Sequence, residues 1–250
     1  MKMKRGLGLA LLMWVAAPHG FAQTPSQASV VFAEDTTQSS ITPVDELRNA
    51  WGLDILISND GFGFGTFYRR QFTRTLSGFA TFSISESKDE REVERFDPYN
   101  QTSFTPGKLN RFLVLPLIFG IQNRLFEDEI TETFRPYVNA GVGPAMIFVA
   151  PFVEITTNPL GAPDIRQVEF FKSLGKGQSH YTVAGYVGVG ANFGERSNLF
   201  GVNFRYYFTY LLGDGLPSLY TYSQANGVQV ASRKKDFGGF FITLNVGMAY

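Results

Sequence analysis

The final stretch of the chain, Gly239–Tyr250 with the sequence GFFITLNVGMAY, alternates between large apolar residues and small or polar ones. Alternation with a period of two predicts a β-strand that shows one apolar face. The apolar positions are Phe240, Ile242, Leu244, Val246, Met248 and Tyr250. This strand sets the pattern against which the rest of the chain is compared.

The same alternation recurs upstream, and the whole chain then reads as eight strands. The predicted strands cover 51–58, 61–71, 76–87, 109–125, 134–148, 180–193, 200–210 and 239–250. Their connections alternate in length: 59–61, 74–77, 127–133 and 194–198 are short, and 88–108, 150–179 and 212–236 are long. An even number of strands with short turns at one end and long loops at the other is typical of a bacterial outer-membrane barrel. The predicted fold class is therefore all-β, an eight-stranded antiparallel up-and-down transmembrane β-barrel.

The residues on the other face of these strands decide which face points outward. A soluble ligand-binding barrel such as a lipocalin also has eight strands, with its apolar face inside. Here the less apolar face carries mainly Gly, Asn, Thr, Tyr and a few Arg, with Asp54 as its one acid and no Lys or Glu. A surface in water is rich in Lys and Glu. The composition favours an apolar face turned to lipid and a narrow, packed lumen.

Aromatic residues on the apolar face collect near both ends of the strands. One predicted level comprises Trp51, Phe134, Phe193, Phe200 and Tyr250, and the other comprises Phe62, Phe148, Tyr181, Tyr210 and Phe240. Aromatic girdles of this kind mark the two interfaces of a bilayer.

The N-terminal residues predict export. Residues 1–22 have a basic start, a short apolar core and small residues before Gln23, which is typical of a signal peptide. Residues 23–48 are interpreted as a flexible periplasmic leader, with a segment that plugs the barrel as the alternative, and 49–250 as the barrel. Cleavage removes three of the 22 basic residues and none of the 22 acids, which leaves a net charge of −3 and no sign of nucleic-acid binding. The chain has no cysteine, which excludes disulfides and thiol chemistry.

The terminal strand resembles the targeting strand of outer-membrane proteins, which ends on an aromatic residue, here Tyr250. The region 49–250 resembles the small outer-membrane barrel-domain proteins of the OmpA, OmpX and OmpW kind. This resemblance implies a bacterial outer-membrane location with both termini periplasmic. It also implies two partners, the membrane lipid and the barrel-assembly machinery that receives the strand ending at Tyr250. It implies no cofactor and no metal.

Charged residues on the predicted lumen face are the first candidate site. They are Asp54, Arg69, Arg124, Arg135 and Arg205. Charges inside a barrel of this size are costly unless they are paired. We expect a structural polar network in which Asp54 pairs with one or more of these arginines. The alternative for Arg124 and Arg135 is that they pair with the acidic turn 127–129. The functional alternative is a constriction that attracts anions.

His180 and Thr182 form a second, weaker candidate. His180 is the one histidine left after cleavage, and a histidine beside a hydroxyl is the minimum for a hydrolase pair. Outer-membrane lipid A deacylases place a His and a Ser two residues apart, so the resemblance implies a catalytic role here. The chain departs from that pattern at Thr182 and at Val183, where the family has Asn, and the prediction is that the chain is not an enzyme.

The long connections offer two further interpretations. The mixed-charge run 88–95 is interpreted as a solvated hairpin top, because its acids alternate with arginines and lack the spacing of a cation site. Residues 168–174 are interpreted as a short helix or a strand extension.

Three function classes remain open at this point. The first is a structural or surface-interaction barrel. The second is a barrel that binds or passes small hydrophobic molecules, suggested by Phe112, Val114 and Ile118 on the inner face. The third is a lipid-modifying hydrolase.

Overall fold

A computed structural model describes residues 47–99, 101–127, 129, 133–158, 163–195, 197–223 and 227–250. The predicted signal peptide and residues 23–46 of the predicted leader lie outside the described residues. Among the residues that are described, no helix has the length and apolar character needed to cross a membrane.

Eight long strands form the wall of a closed antiparallel barrel, and the predicted fold class is confirmed. The wall strands are β1 (Asn49–Ser58), β2 (Gly61–Gln71), β3 (Leu76–Ser87), β6 (Asn110–Arg124), β7 (Phe134–Pro151), β10 (Gln178–Phe193), β11 (Asn198–Thr209) and β14 (Gly239–Ala249). Each strand pairs with the wall strands that precede and follow it in the chain, and β14 pairs with β1 to close the barrel. Every sequence-predicted strand therefore corresponds to a wall strand, with ends that differ by at most a few residues.

Burial alternates along the wall strands as the sequence pattern predicts. In β1, Asp54 and Leu56 face the lumen and are 2% and 1% exposed, whereas the neighbouring Leu53 is 59% exposed. The apolar face of the wall is thus the outer one. A protein in water would bury this face, because exposed apolar area is unfavourable there.

The long connections contain three hairpins that the sequence did not reveal. They are β4 (Arg95–Asp97) with β5 (Thr102–Phe104), β8 (Val153–Thr157) with β9 (Pro163–Gln167), and β12 (Leu216–Ser223) with β13 (Gly227–Lys234). A short helix, α1 (Phe170–Leu174), follows β9 and matches the helical interpretation of residues 168–174. These elements lie at one end of the barrel, called here the loop end. The short turn 72–75 and residues 194 and 195, which follow β10, lie at the other end, called the turn end.

Candidate functional site: the lumen and its two ends

A buried ion pair lies in the middle of the lumen. Arg205 Nη1 on β11 lies 3.0 Å from Asp54 Oδ2 on β1, and both side chains are nearly inaccessible to solvent. Asn245 Nδ2, on the intervening strand β14, donates a hydrogen bond of 2.5 Å to Asp54 Oδ1. Both carboxylate oxygens thus have partners, as a buried charge requires. Of the four lumen arginines proposed as partners of Asp54, this geometry places Arg205 in contact with it.

The other three predicted lumen arginines lie closer to the turn end and do not contact Asp54. Arg69 Nη1 donates to Gln122 Oε1 at 3.2 Å. Arg124 Nη1 lies 3.9 Å from Glu127 Oε1, so Arg124 reaches the acidic turn. Arg135 donates to the backbone carbonyls of Gly194 at 2.8 Å and Glu195 at 3.3 Å.

A chain of aromatic rings crosses the lumen on the loop side of the ion pair. The centroids of Phe79 and Tyr186 are 5.7 Å apart, those of Tyr186 and Tyr207 are 5.0 Å apart, and those of Tyr207 and Phe241 are 5.1 Å apart. The Arg205 guanidinium lies 5.0 Å from the Tyr186 ring centroid, so the rings also contact the charge. Glycine makes this packing compatible with the wall: a Cβ added at Gly120 would lie 2.5 Å from Phe79 Cζ.

Apolar side chains from the loops fill the lumen above this aromatic layer. Leu216 of β12 and Phe237, just before β14, pack against the inner wall residues Phe112, Val114 and Ile147. The rings of Phe112 and Phe237 meet edge to face at 5.3 Å. The sequence suggested that a small hydrophobic ligand could bind near Phe112 and Val114. The chain's own side chains, Leu216 and Phe237, occupy that region.

A buried carboxylate fastens the β12–β13 hairpin over this apolar layer. Asp89 is 8% exposed and accepts hydrogen bonds from Ser218 Oγ, from Ser232 Oγ at 2.9 Å and from the Arg91 amide at 3.0 Å. Burial opposes its ionisation, but these donors and the charge of Lys234 together hold the pKa of Asp89 below its ordinary value. We call the group of Asp89, Ser218 and Ser232 the loop latch.

The latch corrects the interpretation of residues 88–95 as a solvated hairpin top. Glu92 Oε2 lies 2.8 Å from Lys108 Nζ, and these side chains are 5% and 9% exposed. Asp89 and Glu92 thus turn inward, while Glu90 and Arg91 stay exposed. The sequence did not show this because the serine and lysine partners are far away along the chain.

His180 and Thr182 are the weaker candidate site that the sequence suggested. Both residues lie near the loop end of β10, but Thr182 Oγ1 donates its proton to the Tyr210 carbonyl at 2.7 Å. Within the part of the chain that is described, His180 makes no hydrogen bond to Thr182. A hydroxyl nucleophile needs a base within hydrogen-bond reach, whereas the described partner of the Thr182 hydroxyl is a backbone carbonyl.

The predicted interface aromatics lie on the outer face of the wall. Of the ten, nine are exposed and Phe148 is half-buried. At the turn end, Phe193 of β10 contacts Phe134 at 5.5 Å and Phe200 at 6.3 Å between centroids, so three neighbouring strands carry one level of rings. At the loop end, Phe240 stacks on Phe204 at 6.1 Å.

An open cavity of about 710 Å³ occupies the turn end of the lumen. Five arginines line it together with several amides and hydroxyls; they are Arg48, Arg69, Arg74, Arg124 and Arg135. A second cavity of about 30 Å³ lies deeper, among residues that include Arg69, Tyr137 and Arg205. Over the described ranges, no group of three or more His, Cys, Asp or Glu side chains is placed to hold a metal ion.

Two features of the site were not predicted from the sequence. Asn245 is paired directly with Asp54 across β1 and β14, and aligning the inward positions of the first and last strands would have found it. Ser218 and Ser232, which bind Asp89, lie in a connection without alternation, so no local signal identified them.

The fold is similar to that of two solved outer-membrane barrels. The first is the N-terminal β-barrel domain of Pseudomonas aeruginosa OprF, with 10% sequence identity over 82% of this chain and 98% of that one, and a TM-score of 0.39. The second is Ail, the attachment invasion locus protein of Yersinia pestis, solved with the heparin analogue sucrose octasulfate, with 13% identity over 81% and 97% of the two chains and a TM-score of 0.34. Both similarities concern the barrel fold only. No protein-family model and no curated protein matches the chain.

Proposed function

We propose that this chain is an integral protein of the bacterial outer membrane, with a structural or surface-interaction role and with its turn end in the periplasm. The observation that carries the proposal is the contrast between the two faces of the closed wall. In the described wall strands, the outward charged side chains are Arg70, Glu86 and Arg111, and all three lie near strand ends. The middle of the outer face is aliphatic and aromatic, as a lipid-facing band must be.

The loops support the surface-interaction role. Large apolar side chains outside the wall are exposed there: Tyr99 is 96%, Leu212 is 87% and Phe171 is 76% exposed. Arg111 holds α1 against the barrel by donating to Ser173 Oγ at 3.1 Å and by packing 5.6 Å from the Phe170 ring centroid. Exposed aromatic groups on an anchored scaffold are typical of a binding surface.

The membrane location is tested by cell fractionation combined with unheated and boiled SDS gels. We expect the protein in the outer-membrane fraction, with a mobility that changes on boiling because the closed barrel resists SDS. A matched pair of variants sharpens the test. Val187→Arg places a charge in the middle of the outer face, where the cost is about 2–4 kcal/mol, and Asn198→Arg places it at a strand end, where the cost is about 0–1 kcal/mol. A soluble periplasmic protein, or equal tolerance of the two variants, would contradict the proposal.

The surface role is tested in a deletion strain that is complemented with the wild type or with Phe96→Ser/Tyr99→Ser. Both residues are exposed on the loops, so we expect the variant to fold and to restore resistance of the envelope to SDS. Autoaggregation of the cells should fall. Unchanged autoaggregation would contradict the surface-interaction role, and the structural role would then be the one that remains.

A further inference from the structure

Among the described residues, the arginines at the turn end outnumber the acids that face them. In that part of the chain, five arginines and one carboxylate, Glu127, line the cavity. Its remaining polar lining is neutral and comprises amides such as Gln71, Gln122 and Asn192, with hydroxyls such as Thr73 and Thr75. The described lining of the cavity therefore carries an excess of positive charge inside a wall of low dielectric constant.

The chain itself satisfies these guanidinium groups poorly. Arg69 is bound by the neutral amide of Gln122. Arg124 Nη1 lies 3.9 Å from Glu127 Oε1, but the buried Arg124 Nε has no hydrogen-bond partner among the described residues. Among the described residues, the guanidinium groups of Arg48 and Arg74 make no hydrogen bond and no ion pair. Arg135 differs, because the carbonyls of Gly194 and Glu195 hold it. Arg48 and Arg74 are exposed, whereas Arg69 is partly buried. A purely structural network would pair Arg69 with a carboxylate, as Asp54 pairs with Arg205 deeper in the lumen.

Packed side chains lie on the inner side of the cavity. They are the Asp54–Arg205 ion pair and then the rings of Phe79, Tyr186 and Tyr207. A solute that enters from the turn end meets this packing, so the arrangement is that of a pocket. Its volume of about 710 Å³ suits a small molecule.

We propose that this pocket binds a small multivalent oxyanion that carries phosphate or carboxylate groups. Arginine matches this class because its planar fork of donors binds phosphate and carboxylate oxygens in pairs. Arg69, Arg74 and Arg124 come from β2, from the turn after it and from β6, so a bound anion would contact neighbouring segments of the wall at once. The proposal depends on the function proposed above only for the compartment, the periplasm, and the binding itself needs just the folded barrel.

The test is isothermal titration of the refolded full-length barrel in a non-ionic detergent with two probes, inorganic tripolyphosphate and citrate. We expect at least one probe to bind, more weakly as the ionic strength rises. Arg69→Gln and Arg74→Gln should each raise the Kd by about tenfold, the size expected for the loss of one charge-assisted contact. Arg70→Gln is the matched control, because Arg70 is the neighbour of Arg69 on the outer face and does not line the cavity.

The two probes also distinguish two classes of ligand. Binding of tripolyphosphate without citrate would indicate a phosphate ligand, and binding of citrate without tripolyphosphate would indicate a carboxylate ligand. Retention of the heat-dependent gel mobility shows that each variant has folded, and Arg74, which is exposed in the turn, provides a variant that disturbs no packing. Failure of both probes to bind, or an equal Kd for Arg69→Gln and Arg70→Gln, would overturn the proposal. Neither outcome would affect the membrane location, which the fractionation tests separately.

Discussion

The two ends of the lumen differ, although one wall encloses both. At the loop end, Leu216 and Phe237 fill the space and Asp89 fastens the hairpin above them. At the turn end, a cavity of about 710 Å³ stays open and is lined by arginines. The wall therefore sets the diameter of the barrel, and the connections determine which end offers space. The proposed surface role would lie with the exposed loops, and the proposed binding of a small oxyanion would lie with the turn end.

The ion pair of Asp54 and Arg205 separates the two ends, and breaking it should have the largest effect. Asp54→Ala leaves Arg205 buried without a counter-ion, which typically costs about 3–5 kcal/mol. The measurement is the urea midpoint of the barrel refolded in lipid vesicles. The double variant Asp54→Ala/Arg205→Met should recover much of the loss because it removes both charges. A single variant within about 1 kcal/mol of the wild type would show that the pair does not hold the middle of the barrel.

The aromatic layer above the ion pair gives the next largest effect. Gly120→Ala places a methyl group 2.5 Å from Phe79 Cζ and 2.2 Å from the Ala140 carbonyl oxygen, so the layer or the wall must shift. We expect a loss of about 1–3 kcal/mol in the same unfolding assay. Gly185→Ala is the control, because its added methyl group has its closest contact at 3.0 Å. Equal losses for both variants would mean that the layer is not tightly packed.

The sequence predicted the wall well because each wall strand contrasts an apolar face with a small or polar one. That contrast depends on local residue order, so the alternation in β1 and β14 was visible without any partner. The sequence did not show that Arg205 is the arginine that pairs with Asp54. β1 and β11 are not neighbours, and the register places Asp54 level with Asn245 on the strand between them. Four arginines lie on the inward face of their strands. The stagger between neighbouring strands places one of them, Arg205, next to Asp54.

The loop end was the least predictable part for a related reason. The pairing of β12 with β13 shifts its register between Pro217 and Tyr220, and two of the buried positions are serines, Ser218 and Ser232. The hydrophobicity of these strands therefore does not alternate with a period of two. Asp89 lies in a run of mixed charges that has the composition of an exposed segment. Its burial depends on Ser218 and Ser232, more than 120 residues away. Only the closure of the barrel brings these residues together.

The loop latch should open when Asp89 loses its charge. Asp89→Asn removes the charged acceptor that binds Ser218, Ser232 and the Arg91 amide. We expect it to destabilise the packing of the loops by about 1–2 kcal/mol and to leave the stability of the wall unchanged. The measurement is the rate of tryptic cleavage after Arg91 or Arg95, both exposed, in the folded protein. Glu90→Gln, an exposed neighbour, is the control and should leave the rate unchanged. Equal cleavage of Asp89→Asn and the wild type would contradict the latch.

The latch also predicts a pH dependence with a definite sign. Because the pKa of Asp89 is lowered in the folded protein, its stabilising contribution is complete above the ordinary aspartate value of about 4 and is lost as the pH falls through the lowered pKa. The chain has no cysteine, so spin labels at Glu90→Cys and Gln229→Cys report the distance between the two loops. That distance should be constant from neutral pH down to about pH 5 and should lengthen or broaden in stronger acid.

The smallest effect is expected at the rim, where Thr182 donates to the Tyr210 carbonyl at 2.7 Å. If this hydrogen bond is the role of the hydroxyl, Thr182→Val should cost about 0.5–1 kcal/mol and Thr182→Ser, which keeps the donor, should cost less. The two variants keep opposite parts of the side chain, so they separate the hydroxyl from the methyl group. A hydrolase would give a different pattern: Thr182→Val and His180→Ala would both change the lipid A profile of the membrane, and Thr182→Ser would preserve it. We expect all three profiles to equal that of the wild type, because a hydroxyl whose proton is donated to a backbone carbonyl is not paired with a base.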